Sequence, residues 1–368
     1  MTGALSAITI ADFSRVLAGP YATMMLADLG ATVIKIERPG TGDDTRSWGP
    51  PYAEDGQSTY FHSVNRNKNS VALDLKNEAD RRKARTIAMA ADVVIENFPV
   101  GTMAKFNLDY ETLAAHRPDL IYCSISGFGT SETAAAMPGY DLLVQAVGGL
   151  MSITGHPNEP TKVGVALVDV ITGLHAVMAI QAAIIHRQNT GRGQHVELSL
   201  MSSLLSAMVN QSSAWAVGGI TPRAMGNAHP SVVPYQVFNA ADADFVVAVG
   251  NDQQFGVLAA IVGHQEWITD PRFSSNSARI QNRDLLEKLL NEVFAGRNAS
   301  EWVEALTRLK VPAGRINSIS EAFALAAELG LEPIVNVDGT ATVAHPVRYS
   351  DFDIDYRYAP PTLGSTDV

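Results

Sequence analysis

The sequence predicts an α/β protein whose main sheet is mostly parallel, and two observations support this. Over the first 200 residues, short apolar runs alternate with stretches whose apolar residues recur every three or four positions, as in helices that cover a parallel sheet. After about residue 205 the pattern changes to a stretch with several Gly and Pro residues, followed by two strand-like runs and several short helical ones. We therefore expect a second, smaller α+β domain in this part of the chain.

The first part is predicted to contain six strands and three helices. The strands are expected at residues 7–12, 32–37, 70–75, 92–96, 120–124 and 195–199. The helices are expected at residues 20–29, at about 78–91 and along the amphipathic stretch after Asp169. Pro20 near the start of the first helix and Gly30 just after its end follow the usual asymmetry of helix ends.

The second part is divided by its glycines and prolines. Residues 218–230 are typical of a linker. Beyond them, strands are predicted at residues 235–238 and 244–250, and helices at 252–262, 284–294 and 299–309. Residues 311–314 break the pattern, and we expect the chain to lead back to the large domain there.

Composition excludes several classes of protein. The chain has 368 residues, 46% of them hydrophobic, and a formal net charge of -11. A chain of this size can bury a large core and form two domains. Because an acidic protein lacks the basic face that neutralises phosphates, no nucleic-acid partner is expected. The single cysteine, Cys123, excludes an internal disulfide, and its strand-like surroundings are typical of an inert core thiol.

A cytoplasmic protein without a membrane partner is expected. The N-terminus lacks a basic segment followed by an apolar one, since Asp12 and Arg15 interrupt the only candidate. No run of 18 uninterrupted apolar residues occurs in the sequence. The nine histidines follow no metal-ligand spacing, so no metal site is expected.

The turn after the first strand argues against a dinucleotide-dependent enzyme. Glu37 ends the second strand, as in that class, but residues 12–20 hold one glycine and no GxGxxG. The chain also lacks the GxxxxGKS/T, HExxH and GxSxG motifs. Cations follow the predicted strands instead, and together at the carboxyl edge of a sheet they suit a polyanionic ligand. They are Arg15, Lys35, Arg38, Lys76 and Lys105, each of which alone is more typical of a solvated surface.

Asp169 is the leading catalytic candidate. It follows the apolar run 163–168 and precedes the long amphipathic stretch. A carboxylate in this place lies at a helix N-terminus, where free backbone N–H groups and the helix dipole favour its ionised form. Local sequence alone favours helix capping over catalysis.

Ordered blocks along the chain resemble the class III CoA-transferase family, which includes formyl-CoA transferase, carnitine CoA-transferase and α-methylacyl-CoA racemase. The blocks are DFSRVLAGP at 12–20, ADLGATVIKIERPG at 27–40, GDDTR at 42–46, NRNK at 65–68, LDLK at 73–76, ENF at 96–98, PGYD at 138–141, TGRGQ at 190–194, DPRF at 270–273 and VPAG at 311–314. They cover essentially the whole chain, which makes the resemblance far more specific than one short motif.

The resemblance implies a fold and an assembly. Two subunits would interlock like links of a chain, each with a large Rossmann-like domain built from both chain ends and a smaller α+β domain between them. On this sequence the large domain would contain residues 1–205 and a return segment at 313–368. A linker at 206–225 would lead into the small domain at 226–312.

The resemblance also implies that Asp169 is a nucleophile, which outweighs simple capping. Its carboxylate would attack a donor acyl-CoA to form a mixed anhydride and then an enzyme-bound CoA thioester, from which an acceptor carboxylate takes CoA. CoA and acyl-CoA are substrates, and no permanently bound cofactor is needed. In the racemases of the family a histidine shares the proton transfer, whereas this chain has Tyr140. A tyrosine is a poor proton shuttle at neutral pH, because the pKa of an unperturbed tyrosine side chain is about 10. A transferase is therefore favoured, with a 2-methylacyl-CoA racemase using Asp169 as base and a non-catalytic CoA-binding protein as alternatives.

The remaining site residues follow from the same resemblance. CoA would contact Arg15, Val16, Ala18, Arg38, Leu73, Lys76, Asn97, Phe98, Lys105 and Tyr140. A loop containing Gly250, Asn251 and Asp252 would cover Asp169 during turnover, although Asn251 alternatively begins a helix with Asp252 in its first turn. Because this loop lacks the consecutive glycines of formyl-CoA transferase, formate and oxalate are doubtful substrates. Succinyl-CoA as donor and another short dicarboxylate as acceptor are favoured, and Arg46 is a candidate partner for a distal carboxylate.

Overall fold

The computed structural model describes residues 3–367, which form two compact units. The first unit contains the chain up to Met151, Lys162–Pro222 and the residues from Glu332 onward. The second contains Ser152–Thr161 and Arg223–Leu331. The first unit therefore draws on both ends of the chain.

The helices and strands alternate through most of the first unit. In chain order they are β1 (Thr9–Asp12), α1 (Ala18–Asp28), β2 (Thr32–Glu37), a 3-10 helix (Asp44–Ser47), α2 (Thr59–His62), β3 (Lys68–Ala72), α3 (Glu78–Ala90), β4 (Val93–Glu96), α4 (Thr102–Lys105), α5 (Tyr110–Ala114), β5 (Ile121–Ser126), α6 (Glu132–Ala135), α7 (Asp141–Val147), α8 (Leu150–Ile153), α9 (Leu167–Thr190), β6 (Gln194–Ser199), α10 (Leu200–Ala207) and α11 (Val209–Ala216). They continue with β7 (Tyr235–Asn239), β8 (Asp244–Ala248), α12 (Asp252–Ile261), a 3-10 helix (Gln265–Ile268), α13 (Asn276–Gln281), α14 (Arg283–Phe294), α15 (Ala299–Arg308), β9 (Ala313–Arg315), α16 (Ile319–Glu328), β10 (Ile334–Val337) and β11 (Thr340–Val343).

Six parallel strands form the main sheet in the order β3-β2-β1-β4-β5-β6, which confirms the predicted α/β class. In β1, Asp12 lies opposite Lys35 of β2 on one side and Ile95 of β4 on the other. The chain thus runs in opposite directions away from β1 and β4. In doubly wound sheets, ligands bind beyond the carboxyl ends of the strands at such a switch point.

Helices cover both faces of this sheet. On one face, α1, α7, α9 and α10 bury a cluster that includes Leu26, Ile95 and Ile180. On the other face, α3 and α5 pack over Val94, Leu113 and neighbouring apolar residues. α9 is long and apolar enough by composition to span a bilayer, but its buried side belongs to the first cluster, so we treat it as a core helix.

The end of the chain packs on the first unit through polar contacts. Arg66, which forms a buried ion pair with Asp28, also donates to the Thr342 hydroxyl at 3.2 Å and to the carbonyl oxygen of Val343 at 3.0 Å. Asn67 donates from its side chain to the carbonyl oxygen of Asp355, and its backbone N–H donates to that of Tyr358. These bonds attach the last segment of the chain beside the start of β3.

The second unit has a three-stranded antiparallel sheet in the order β7-β8-β9. Phe294 of α14 is the centre of its core, with ring centroids 5.3 Å from Phe238, 5.0 Å from Phe245 and 5.1 Å from Trp302. Residues 313–331, which the sequence assigned to the large domain, lie in this unit because Ala313–Arg315 pairs with β8. The predicted linker also differs, since α11 occupies Val209–Ala216 within it.

Candidate active site

A cleft of about 490 Å³ lies at the carboxyl edge of the main sheet, at the switch point. The loops after β1, β4 and β5 and the start of α9 form its walls. Its lining includes Arg15, Val16, Leu17, Ala18, Asn97, Phe98, Val100, Ser126, Gly127, Tyr140 and Asp169. The structure thus brings together six of the predicted CoA contacts and the predicted nucleophile, and Tyr140 is 64% exposed there.

Asp169 is free of the capping role that its local sequence suggested. α9 begins at Leu167, so Asp169 is its third residue, and the N-cap position is Ala166, which has no side-chain cap. Asp141 of α7 serves instead, since its Oδ1 accepts from the backbone N–H of Val168 at 2.9 Å and of Asp169 at 3.3 Å. In the part of the chain that the structure describes, the Asp169 carboxylate accepts no hydrogen bond. Both of its oxygens are therefore available for chemistry.

Burial and a like charge act on this carboxylate together. Desolvation raises the pKa of Asp169 to about 7, with a further contribution from the nearby Asp141 carboxylate. Tyr60 of α2 lies in the same electrostatic field, because burial and then Asp169 and Asp141 raise the pKa of its phenol. Sequence reasoning missed Tyr60 because it lies far along the chain from Asp169 and outside every recognised block.

Arg15 and Arg38 supply positive charge at the end of β1 and β2. The Arg15 guanidinium lies 4.6 Å from the centroid of the Phe98 ring. Burial lowers the pKa of Arg15, and the charge of Arg38 lowers it further. Within residues 3–367 neither forms an ion pair. Two unpaired guanidiniums at a sheet edge are well suited to a phosphate group.

Four predicted cation or ligand positions differ from this pattern. Lys35 is fully buried and pairs with Asp43 at 2.9 Å, so it is a structural charge and cannot face a ligand. Leu73 is buried in the core, which leaves no side-chain surface for CoA. Lys76, after β3, and Lys105, at the end of α4, are exposed and, like Arg38, do not line the cleft.

Arg46 has a structural role in this chain. Its Nε and Nη2 donate to the two carboxylate oxygens of Glu37 at 2.9 and 2.8 Å, and its Nη1 donates to Gln57 and to the carbonyl of Pro361. Its guanidinium also lies 3.8 Å from the centroid of the Phe61 ring. With these partners it is not free to bind a distal carboxylate, and that interpretation is corrected.

The segment at residues 250–252 begins α12 of the second unit. The Asn251 side chain caps the helix by accepting from the N–H of Gln254, and the Gly250 N–H donates to the Gln254 side chain. Asp252 pairs at 2.7 Å with Arg279, a fully buried side chain. The alternative that Asn251 begins a helix is therefore confirmed, and the covering role of this loop stays a prediction.

A second cleft of about 370 Å³ lies beside β4, β5 and β6 and shares Phe98 and Val100 with the first. The Ser124 hydroxyl lies 2.9 Å from Nε2 of His195, and the buried Glu96 lies opposite Ser124 on the neighbouring strand β4. Burial raises the pKa of Glu96 to about 7. No sequence block singled out this group, because its members come from three strands.

The fold is α/β, and the cleft brings the Arg15 guanidinium together with one carboxylate, Asp169, that accepts no hydrogen bond in the described chain. The sequence model of CoA-transferase family III matches residues 5–367. The chain is 41% identical to the succinate–glutarate CoA-transferase of Agrobacterium fabrum, over 98% of this chain and 93% of the relative. It is 40% identical to the succinyl-CoA:glutarate CoA-transferase of Homo sapiens, over 98% and 83%.

A solved structure gives the same result. A CaiB/BaiF family protein from Brucella suis is similar with a TM-score of 0.88 and 41% identity, covering 99% of this chain and 97% of that one. The chain therefore belongs to CoA-transferase family III and is an enzyme of the class III CoA-transferase type. The resemblance stated from the sequence blocks is confirmed.

Proposed function

We propose that this enzyme transfers CoA from succinyl-CoA to a short dicarboxylate, with glutarate as the first candidate and Asp169 as the nucleophile. The observation that carries the proposal is a carboxylate with no hydrogen-bond partner at the wall of a cleft that also contains Arg15 and Phe98. The substrate choice rests on the names of the two relatives at about 40% identity.

The chemistry balances without any further reactant. An oxygen of Asp169 attacks the thioester carbon of succinyl-CoA, the C–S bond breaks, and CoA leaves as thiolate from an aspartyl–succinyl anhydride. The thiolate then attacks the Asp169 carbonyl carbon and releases succinate, which leaves an aspartyl-CoA thioester. The acceptor carboxylate attacks this thioester and releases the thiolate, which attacks the acyl carbon of the new anhydride. The products are the acceptor's CoA thioester and a regenerated Asp169 carboxylate.

The electrostatics of Asp169 fit this role. A carboxylate whose pKa is raised to about 7 is a stronger nucleophile than an ordinary aspartate, yet a large fraction is ionised at neutral pH. Binding would place the CoA phosphates beside Arg15 and Arg38, neither of which forms an ion pair in the described chain.

The racemase alternative lacks its second proton carrier. The residues that line the cleft in the described chain include Tyr140 but no histidine. Incubating a 2-methylacyl-CoA with the enzyme in deuterated water tests this directly. We expect no deuterium at the α-carbon, and clear incorporation would favour the racemase.

We further propose that the enzyme acts as a cytoplasmic homodimer. α9 buries one side but leaves Leu174, Met178 and Ile185 exposed, with Met178 at 63%. These residues lie on one helix face, and an exposed apolar face of this kind favours a protein interface. Sedimentation of the wild type and of Met178→Asp tests it: we expect a dimer that the substitution weakens, and a wild-type monomer would contradict it.

The decisive experiment measures CoA exchange with purified enzyme. Succinyl-CoA is offered with glutarate and, as a matched control, with pentanoate, which has the same carbon chain without the second carboxylate. We expect turnover with glutarate and little with pentanoate. Asp169→Ala should abolish exchange while the protein stays folded, and hydroxylamine should trap Asp169 in the wild type after incubation with succinyl-CoA.

The possible outcomes separate the hypotheses. More than about a thousandth of wild-type turnover in Asp169→Ala would contradict the nucleophile, since loss of an essential nucleophile costs far more than this. CoA binding by the wild type without a covalent adduct or exchange would favour a non-catalytic CoA-binding protein. Equal turnover with pentanoate would contradict the dicarboxylate preference.

A further inference from the structure

The side chain of Asn97 forms two hydrogen bonds with the protein backbone. Its Oδ1 accepts from the backbone N–H of Arg15 at 2.8 Å, and its Nδ2 donates to the carbonyl oxygen of the same residue at 2.8 Å. Both ends of the amide are therefore engaged with the loop between β1 and α1. An amide placed in this way fixes the orientation of the peptide groups on both sides of Arg15.

The residue after this clamp has an unfavourable backbone conformation. Val16 has φ of +67°, a left-handed conformation that β-branched residues rarely adopt. Its N–H is directed to the Asp43 carboxylate, with distances of 3.2 and 3.3 Å to the two oxygens, and Asp43 is held by Lys35. Such a conformation persists only where the surroundings enforce it. Asn97 on one side and Asp43 on the other enforce it here.

The left-handed turn determines where α1 begins. α1 starts at Ala18 and has no side-chain cap at Leu17, and in the described chain the N–H groups of Ala18 and Gly19 have no hydrogen-bond acceptor. This helix end packs closely on α9, since a Cβ at Gly173 would come within 2.7 Å of the carbonyl oxygen of Ala18. Gly173 lies one helical turn after Asp169. The start of α1 and the nucleophile therefore line the same part of the cleft.

We propose that Asn97 is a positioning residue for the reaction: by clamping Arg15 it keeps Val16 left-handed and holds the start of α1 against Asp169. The inference rests on the proposed function. Free N–H groups at the start of a helix stabilise negative charge, and each step at Asp169 develops such charge on a carbonyl oxygen. Asn97 thus acts on turnover through the backbone, which differs from a direct contact with CoA.

The test combines two substitutions. Asn97→Ala removes the clamp, and we expect kcat for succinyl-CoA and glutarate to fall about tenfold to a hundredfold, as for small displacements of reacting groups. KM for succinyl-CoA should change less than about threefold, because the substitution leaves most contacts that bind the substrate before the reaction in place. Val16→Gly in the same chain should then recover about threefold or more of the lost kcat, because glycine adopts positive φ without steric cost.

Asn77→Ala is the matched control. Asn77 caps α3 by accepting from the N–H groups of Ala79 and Asp80, away from the cleft. Its substitution removes an amide of the same kind and destabilises the fold, but it should leave kcat and KM unchanged. Thermal melts of all variants show whether each one is folded at the assay temperature, which excludes unfolding as the cause of lost activity.

Two results would overturn the proposal. If Asn97→Ala raises KM with kcat unchanged and Val16→Gly gives no recovery, Asn97 contacts CoA directly. If Asn97→Ala behaves like Asn77→Ala, the clamp has no role in turnover. A wild type that exchanges no CoA would instead overturn the proposed function. Failure of the proposed function is therefore measured on the wild type, and failure of the positioning role on the Asn97 variants.

Discussion

Two aspartates of the first unit, the buried Asp43 and the half-buried Asp169, have opposite surroundings. Asp43 receives Lys35 at 2.9 Å and the N–H and hydroxyl of Thr45 at 3.0 and 2.8 Å. Burial alone would raise the pKa of Asp43, but Lys35 and the hydrogen bonds lower it to about 2. Asp169 has no such donor in the described chain, and burial together with Asp141 raises its pKa to about 7.

The comparison shows how the same residue type serves two purposes in one fold. Two fully buried lysines pair with structural acids: Lys35 with Asp43, and Lys68 with Asp12 at 3.3 Å. A carboxylate that forms a covalent bond needs free oxygens, and donors to both of them would lower its nucleophilicity. The unsatisfied surroundings of Asp169 therefore reduce stability but support reactivity.

Removing the cation from the structural pair should produce the largest effect. Lys35→Met leaves Asp43 buried without its counter-ion, and we expect the free energy of unfolding to fall by about 3–5 kcal/mol. Urea denaturation at pH 7 measures this. Arg82→Ala, which breaks the exposed pair with Glu78, is the control and should change stability by less than about 0.5 kcal/mol. A loss of similar size in both variants would contradict the distinction between buried and exposed pairs.

Neutralising Asp169 should raise the free energy of unfolding, whereas Lys35→Met lowers it. Because the folded-state pKa of Asp169 is raised from 3.8 to about 7, its ionisation costs stability as pH rises through this interval, and the cost is complete above pH 7. We expect Asp169→Asn to be more stable than the wild type by about 2 kcal/mol at pH 8, a stability–function trade-off, and nearly equal at pH 4. Urea denaturation at the two pH values checks the sign.

Glu96 requires a control in this measurement, since its pKa is also raised to about 7. The comparison is therefore repeated in a Glu96→Gln background. Of the two acids with a raised pKa, only Asp169 then titrates in this pH range. A difference between Asp169→Asn and its parent that does not grow from pH 4 to pH 8 would contradict the raised pKa of Asp169.

Much of the fold could be predicted because the strands are buried on both faces. Such strands form apolar runs that stand out from helical periodicity, and residues 32–37 match the observed β2. The short helices α7 and α11 were not predicted, since their few turns carry too little periodicity. The extension of the second unit to Leu331 also escaped prediction, because β9 has only three residues.

The candidate site could be predicted in part. Asp169 was found because it lies at a local boundary and within a recognised family pattern. The fates of Lys35 and Arg46 were not predictable, since whether a cation faces a ligand depends on acids elsewhere in the chain, here Asp43 and Glu37. Asp141 was quoted only as part of a block, although it caps α9 across 28 residues of sequence. Long-range hydrogen bonds leave no periodic signal.

The smallest effect separates the two causes of the raised pKa of Asp169. Asp141→Asn removes the neighbouring charge, while its remaining carbonyl oxygen still accepts from the N–H groups of Val168 and Asp169. Burial then acts alone, so the pKa of Asp169 should fall below 7, and the acid limb of kcat/KM for succinyl-CoA should move down by about one pH unit. Steady-state rates from pH 5 to pH 9 measure the shift.

Asp141→Ala provides the comparison, because it removes the charge and the cap together. It should show the same shift in the acid limb with an additional loss of about 1 kcal/mol in unfolding free energy, the usual cost of a lost N-cap. If Asp141→Asn leaves the limb unchanged, burial alone raises the pKa of Asp169, and Asp141 serves only to begin α9. If the acid limb shifts in both variants and only Asp141→Ala loses stability, the charge of Asp141 affects catalysis and its side-chain oxygen stabilises the fold.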